Sequence, residues 1–128
     1  METLIRFIFL LILLTSCNNL LAKPITGDIV VLQVLDKITA RISTMEIEVG
    51  AKAKYGSIEI EIFHCKKRPP EEVPEDFVLL KIDDRISQEN FETVFQGWMI
   101  SSSPTVTPFE HPTYDVWVKD CKIDIESE

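Results

Sequence analysis

Apolar and polar residues alternate along most of this chain, and the alternation predicts strands. "YGSIEIEIFHC" (55–65) is the cleanest case. Ile58, Ile60 and Ile62 fall on one face and Glu59 and Glu61 on the other, the period of two expected of a half-buried strand. "ARISTMEIEVG" (40–50) repeats the pattern with Met45, Ile47 and Val49 against Glu46 and Glu48. Ile42 has the opposite parity, which predicts a bulge or bend near Ser43-Thr44. "DIVVLQVLDKIT" (28–39) is apolar on both faces and reads as a buried strand. "FVLLKID" (77–83) and "VFQGWMI" (94–100) read as further strands, and "YDVWVKDC" (114–121) as the last. "KKRPPEEVPED" (66–76) reads as a loop, because Pro69, Pro70 and Pro74 lack backbone donors. "DRISQENFE" (84–92) has room for one short helical turn. Short strands at close spacing predict an all-β fold, a small single-domain β-sandwich or partly open barrel with a short helical turn at most.

The N-terminus breaks the pattern. Arg6 precedes an unbroken apolar run from Phe7 to Leu14. Eight residues are too few for a membrane span, which takes about 20 helical residues. A short apolar run at this position predicts an export signal over residues 1–22, followed by one β-rich periplasmic domain over 23–128. Two exits from the signal stay open. "LTSC" (14–17) resembles a bacterial lipobox, in which Cys17 would carry lipid and the signal would end at residue 16. "LLA" (20–22) offers small Ala22 before a cut.

Charge narrows the partners. The chain has 21 acidic and 13 basic residues, a net charge of −8. One acid (Glu2) and one base (Arg6) lie in the first 22 residues, so the remainder holds 20 acids against 12 bases, also −8. An acidic surface argues against nucleic acid, which needs clustered Lys and Arg. It gives no polybasic signal for anionic lipid either, so membrane contact is expected only through an anchor at Cys17.

Export decides the cysteines. An oxidising compartment favours disulfides. With Cys17 lipidated or removed, Cys65 and Cys121 remain and are expected to pair. Two buried free thiols, or a zinc site with the histidines, are the alternatives. Strict alternation would place Cys65 beside Phe63, Glu61 and Glu59, and Cys121 beside Lys119, Trp117 and Asp115. Each cysteine is thus expected on the more polar face of its strand, with Phe63 and Trp117 flanking the bridge. The opposite face of the last strand, Tyr114, Val116 and Val118, is the expected core face.

"SSSPTVTPFEHPTYDVWVKDC" (101–121) carries residue types that suggest chemistry. A Ser-His-Asp triad needs a serine on a sharp turn, a histidine with a free nitrogen and an oxyanion hole. No G-x-S-x-G elbow is present, and Pro104 after Ser101, Ser102 and Ser103 disfavours a helical start. The serines read as a strand exit whose hydroxyls serve a turn. Glu110 and Asp115 as a glycosidase pair would need a set separation and a sugar cleft, and the sequence shows neither. His111 reads as a loop histidine hydrogen-bonded to Asp115, with recognition as its functional alternative. His64 shares parity with Ile58, Ile60 and Ile62 and is expected at the core edge. No catalytic residue, metal or cofactor is assigned.

Phe95, Trp98, Phe109, Tyr114 and Trp117 all fall in the last third of the chain. Aromatics on a β-platform bind sugars or peptides and are enriched at interface hot spots. Trp98, His111, Tyr114, Asp115 and Trp117 are therefore the recognition candidates. Core packing of both tryptophans is the plainer expectation.

Five segments together, "LDKITAR", "YGSIEI", "CKKRPP", "FQGWMISSSP" and "EHPTYDVWVKDC", resemble an alphaproteobacterial family of exported proteins, domain of unknown function 2155. The resemblance covers about residues 30 to 122. Its pattern includes a glycine-tryptophan pair like Gly97-Trp98, a histidine-proline pair like His111-Pro112, and cysteines matching Cys65 and Cys121. It implies an envelope location and a small β domain, and no known reaction, cofactor or catalytic residue. "LTSC" lies outside the pattern. The combined expectation is an exported protein in the periplasm of a Gram-negative bacterium, soluble or lipid-anchored. Its expected role is non-enzymatic binding or assembly with an envelope protein. A carbohydrate- or peptidoglycan-binding module is the alternative, and a hydrolase centred on His111 a weaker one.

Overall fold

The structure, a computed structural model, describes residues 1–14 and 22–125. Cys17 and most of the two candidate processing sites lie outside the described residues. The apolar N-terminal run forms α1 (Glu2–Leu14). Thirteen helical residues rise about 20 Å against a hydrocarbon core of about 30 Å. No helix among the described residues is long and apolar enough to cross a membrane.

The remaining elements are strands: β1 (Ile25–Thr26), β2 (Ile29–Asp36), β3 (Arg41–Glu48), β4 (Lys52–Tyr55), β5 (Ile58–Lys67), β6 (Asp76–Arg85), β7 (Phe91–Ile100) and β8 (Tyr114–Lys122). They form two antiparallel sheets not closed into a barrel. One has the order β1-β5-β6-β7, with β4 also on β5; the other has the order β3-β2-β8. Ile58, Ile60, Ile62, Val78, Leu80 and Ile82 of the first face Val30, Leu32, Val34, Val116 and Val118 of the second, and all are buried. Burying each such side chain contributes about 1.5–3 kcal/mol. The Ile58/60/62 face, the Tyr114/Val116/Val118 face and the Met45/Ile47/Val49 face all turn toward the core, as alternation predicts.

Turn chemistry closes the hairpins. Gly56, at φ +55°, is the first of two residues between β4 and β5, where a tight hairpin needs a positive φ. Asp36 accepts the amides of Ile38 (2.8 Å) and Thr39 (3.2 Å) across the β2–β3 turn. Residues 86–90 make a bend between β6 and β7 with no helical turn; β6 and β7 pair too closely to leave room for one. β5 extends through Lys67, so the proline loop is shorter than its composition suggests.

The bulges do not fall where Ile42 suggests. β3 pairs with β2 without a register break from Arg41 to Glu48, and Ile42 is simply exposed. The register shifts instead at Phe63 in β5, Val94 in β7 and Lys119 in β8. Each extra residue reverses the inside-outside alternation beyond it. Cys65 therefore joins the Ile58/60/62 face, and Cys121 joins Val116 and Val118; both are fully buried. His64 turns outward and is exposed, contrary to its parity with the isoleucines. The expectation of a bridge on the polar faces, flanked by Phe63 and Trp117, is overturned for the same reason.

Cys65 and Cys121 form a disulfide that ties β5 to β8, hence one sheet to the other, with Cα atoms 6.0 Å apart. Gly27, between β1 and β2, packs on it. A Cβ at Gly27 would overlap Cys121 Sγ and lie 3.0 Å from Cys65 Sγ. The Gly27 amide donates to the Cys65 carbonyl (3.0 Å), and the Asp28 amide to that of Lys122 (2.8 Å).

Opening this disulfide is expected to cost about 4 kcal/mol from the freed loop of 57 residues. Gly27→Ala is expected to destabilise by about 1–3 kcal/mol through overpacking. Because its overlap is with the bridge, the loss should shrink when Cys121 is also replaced by Ala. A denaturant double-mutant cycle measures this coupling, and strict additivity would contradict the packing described.

Candidate functional site

The end of the sandwich where β4 turns into β5 gathers four aromatic residues around a histidine. His111 sits at its centre, 6% exposed. Phe109 stacks on one side of its ring (centroids 5.7 Å apart) and Tyr114 on the other (5.3 Å). Phe95 meets Phe109 edge-on at 6.3 Å, and Tyr55 meets Tyr114 edge-on at 5.6 Å. Five rings thus run in contact from β7 across the β7–β8 loop to β4. The Tyr114 hydroxyl lies over Gly56, where any Cβ would overlap it. Gly56 is needed twice, for its φ and for this contact.

Both ring nitrogens of His111 are committed. Nδ1 accepts the amides of Thr113 (3.1 Å) and Tyr114 (3.2 Å). The proton therefore sits on Nε2, which donates to Asp84 Oδ2 at 3.0 Å. Asp84 also accepts from Ser57 Oγ at 2.6 Å. Burial pushes the Asp84 carboxyl up, but the hydrogen bonds from Ser57 and His111 outweigh burial and hold it below the usual carboxylate range. The histidine does pin the loop, but to β6 through Asp84. Asp115, its expected partner, pairs with Lys37 Nζ at 3.0 Å, and that ammonium also donates to the His111 carbonyl at 2.9 Å. A general base needs a nitrogen free to take a proton, and this ring offers none.

The serines lie at the opposite end. Ser101 accepts the Asp76 amide and donates to Glu75 Oε1 (3.0 and 2.9 Å), and the Ser102 amide and hydroxyl both donate to the same carboxylate. They terminate β7 against the start of β6. Asp76 and Asp84 are eight residues apart on one strand, about 26 Å, so no serine of this trio reaches His111. Beside the serines, Asp76 is 8% exposed and receives the Cys121 amide. Burial pushes its carboxyl up, against the opposing pull of Lys67, whose Nζ lies 3.8 Å away. Lys67 pairs more closely with Asp120, at 2.9 Å.

The two tryptophans are not core residues. Trp98 is 41% exposed on the outer face of the β5-β6-β7 sheet, opposite in parity to buried Met99. Trp117 is half-buried on the outer face of the other sheet, its Nε1–H bonded to Gln33 Oε1 at 2.9 Å. They occupy opposite outer surfaces of the sandwich and make no shared platform. Trp117 instead lines a groove of about 330 Å³ with Val116 and Asp115 of β8 and with Pro104, Thr105, Pro108 and Phe109 of the loop. Val116 points inward and Trp117 outward, so the groove follows the edge of β8. Among the described residues β8 pairs as a strand only with β2, so its other edge carries no ladder. The Lys37 amide bonds the Thr113 carbonyl (2.8 Å), while the Tyr114 amide turns away from β2 to His111. By antiparallel alternation, the N–H and C=O of Val116 also point away from β2, into the groove.

Of the recognition candidates, His111 and Tyr114 share the aromatic cluster, Asp115 and Trp117 share the groove beside it, and Trp98 stands apart. Sequence reading missed Asp84, Ser57 and Tyr55, which complete the cluster from the end of β6, the β4–β5 turn and the end of β4. Only "YGS" (55–57), a glycine turn next to an aromatic, hints at them.

Residues 30–121 match the family described as "Uncharacterized protein conserved in bacteria (DUF2155)". The chain belongs to this family. It is similar to the "Uncharacterized protein RP359" of Rickettsia prowazekii (strain Madrid E), 34% identical over 87 residues. These are 68% of this chain and 56% of that protein, so the chain spans little more than half of its relative's length. No solved structure matches the chain significantly.

The Asp84 carboxyl titrates lower in the folded than in the unfolded chain. Its stabilisation is therefore complete above the ordinary carboxyl range and fades as pH falls through and below it. Asp84→Asn should lower the melting temperature at neutral pH and flatten part of the acid-side decline; an unaltered acid branch would refute the linkage. His111→Ala, which strands Asp84 and two amides, should cost about 2–3 kcal/mol in denaturant unfolding.

Proposed function

We propose that this DUF2155 member is a non-enzymatic binding protein of the bacterial envelope, exported to the periplasm, and that it holds an extended segment of a partner along the free edge of β8. The groove beside β8 carries this reading. It supplies unpaired backbone groups at Val116, an apolar wall from Pro104 and Pro108, and a tryptophan whose ring is fixed by Gln33. Added strands take affinity from main-chain pairing and specificity from side-chain pockets. Val116 would supply the first and Trp117 the second. The prolines leave the loop without competing donors at those positions, so the groove does not fill itself.

The histidine supports the same reading from below. It fixes the loop that forms the far wall, through Asp84 and the two amides, and so pre-shapes the groove. Pre-shaping lowers the ordering cost of binding. The glycan alternative has less support, because Trp98 and Trp117 lie on opposite surfaces. A hydrolase at His111 is disfavoured by the commitment of both ring nitrogens.

A photo-crosslinking residue at Thr105, on the groove rim, should capture a defined envelope protein, and the same probe at Glu92 should not. Trp117→Ala should abolish the capture with the fold retained. Val116→Pro, which removes the outward N–H, should also abolish it, and Val116→Ala, which keeps that N–H, controls for the loss of the buried side chain and should retain capture. Capture that survives Trp117→Ala and Val116→Pro would refute the groove. Separately, Cys17→Ser should release the protein from the membrane fraction if Cys17 carries lipid; unchanged fractionation would end that reading.

A further inference from the structure

The outer face of the β5-β6-β7 sheet is divided in two. In one half, Phe77 pairs with Ile100 and Leu79 with Trp98 in adjacent rows, a contiguous apolar block on a surface that usually faces water. In the other half, Glu59, Glu61, Lys81 and Asp83 form a lattice of ion pairs with Lys52 and Lys54. The apolar half has a basic rim. Lys66 pairs with Phe77 across the strands, and its Nζ donates to Thr26 Oγ1 at 3.0 Å. Among the described residues no carboxylate lies within ion-pair distance of it. The Arg68 guanidinium lies 5.8 Å from the Phe77 ring centre. Pro24 closes a shallow cleft of about 280 Å³ with Lys66, Phe77 and Trp98, and exposed Lys23 precedes it. Of the acids in the adjoining loop, Glu72 is 3.9 Å from Arg68, Glu75 is held by Ser101 and Ser102, and Glu71 is exposed.

We propose that this half-face is a membrane-contact surface, seated on anionic phospholipid headgroups with Trp98 at the interface. The inference rests on the reading that the chain is exported and tethered through its N-terminus. Charge and tether both favour a lipid surface. On a chain of net charge −8, a basic rim around an exposed tryptophan is the combination that suits an anionic interface. Tryptophan concentrates at bilayer boundaries, and long basic side chains lay their stems on apolar surface with the charge outward. The ion-pair lattice begins about 7 Å further along β6 from the Leu79–Trp98 row, within the Debye length of about 8 Å at physiological salt, but Lys52, Lys54 and Lys81 balance Glu59, Glu61 and Asp83, so it adds no net repulsion. Pro24 follows Cys17 by seven positions, a reach of at most about 25 Å. A lipid at Cys17 therefore keeps Pro24, and the face it borders, close to the bilayer. The sandwich would then present the β8 groove, on the opposite sheet, away from the membrane.

Bromolipid quenching tests this in the full chain. Trp117→Phe leaves Trp98 as the sole indole, and Trp98→Phe leaves Trp117. With vesicles of brominated phosphatidylglycerol and phosphatidylcholine, Trp98 should shift to the blue and be quenched about two-fold, and Trp117 should change little. Lys66→Glu with Arg68→Glu should reverse most of the Trp98 quenching, as should zwitterionic vesicles. Equal quenching of the two indoles would overturn the proposal. So would a concentration-dependent blue shift of Trp98 without lipid, which would mean a second copy covers the face. The Cys17→Ser fractionation reports on the tether alone, so its failure is distinguishable from failure of the surface.

Discussion

Two single-residue bulges decide where the bridge between the sheets can be. A disulfide between facing sheets must point both cysteines into the core, and strict alternation would point both outward. Phe63 and Lys119 each add one residue and reverse the alternation just before Cys65 and Cys121. The bond then forms inside the sandwich, with Gly27 bare above it. The bridge's stabilisation is comparable to that from burying only a few of the core side chains. Its importance is therefore geometric: it fixes how β8, the last strand, sits over β5. The edge that β8 presents, and the groove beside it, follow from that seating.

The other end of the sandwich is held by different chemistry. No covalent bond ties the β7–β8 loop down; a buried histidine does so. Its ring is stacked between Phe109 and Tyr114, takes two amides of its own loop and donates to a carboxylate on β6. Asp84 in turn holds Ser57, so one hydrogen-bonded set joins the loop, the end of β6 and the β4–β5 turn. Such a set is stabilising because every member is satisfied; removing one leaves buried polar atoms without partners. The two ends together make a rigid frame, and the surfaces left over are the β8 groove on one side and the Trp98 face on the other. One side offers unpaired backbone and the other an apolar block with a basic rim.

Much of the fold was legible in the chain. The isoleucines of β5, the apolar run of β2 and the alternation in β3 and β8 identified strands and core faces, because burial at period two leaves a direct trace. Family membership was legible too, from five short segments. The serines were rightly read as a strand exit. The parity-based placements of Cys65, Cys121 and His64 were inverted, and Ile42 suggested a bulge where none exists. Ladder slips have no local marker here: Phe63 and Lys119 are ordinary strand residues, and what makes them extra is the partner strand's register. The histidine's partner was missed for a related reason. Asp115 is its neighbour in sequence, whereas Asp84 is 27 residues away and meets it only once β6 and the loop are packed.

The sequence by itself determined that this is an all-β chain with an apolar N-terminal segment, and which strands have buried faces; the pairing of Cys65 with Cys121 was an expectation that the structure bears out. The first two follow from composition and short-range periodicity, which water enforces locally by hiding apolar side chains. Only the tertiary structure decided which way the cysteines face, that His111 is a structural clasp, and that Trp98 and Trp117 look out from opposite sides. Those outcomes depend on strand register and on which sheet covers which, quantities set by the packing of the whole sandwich.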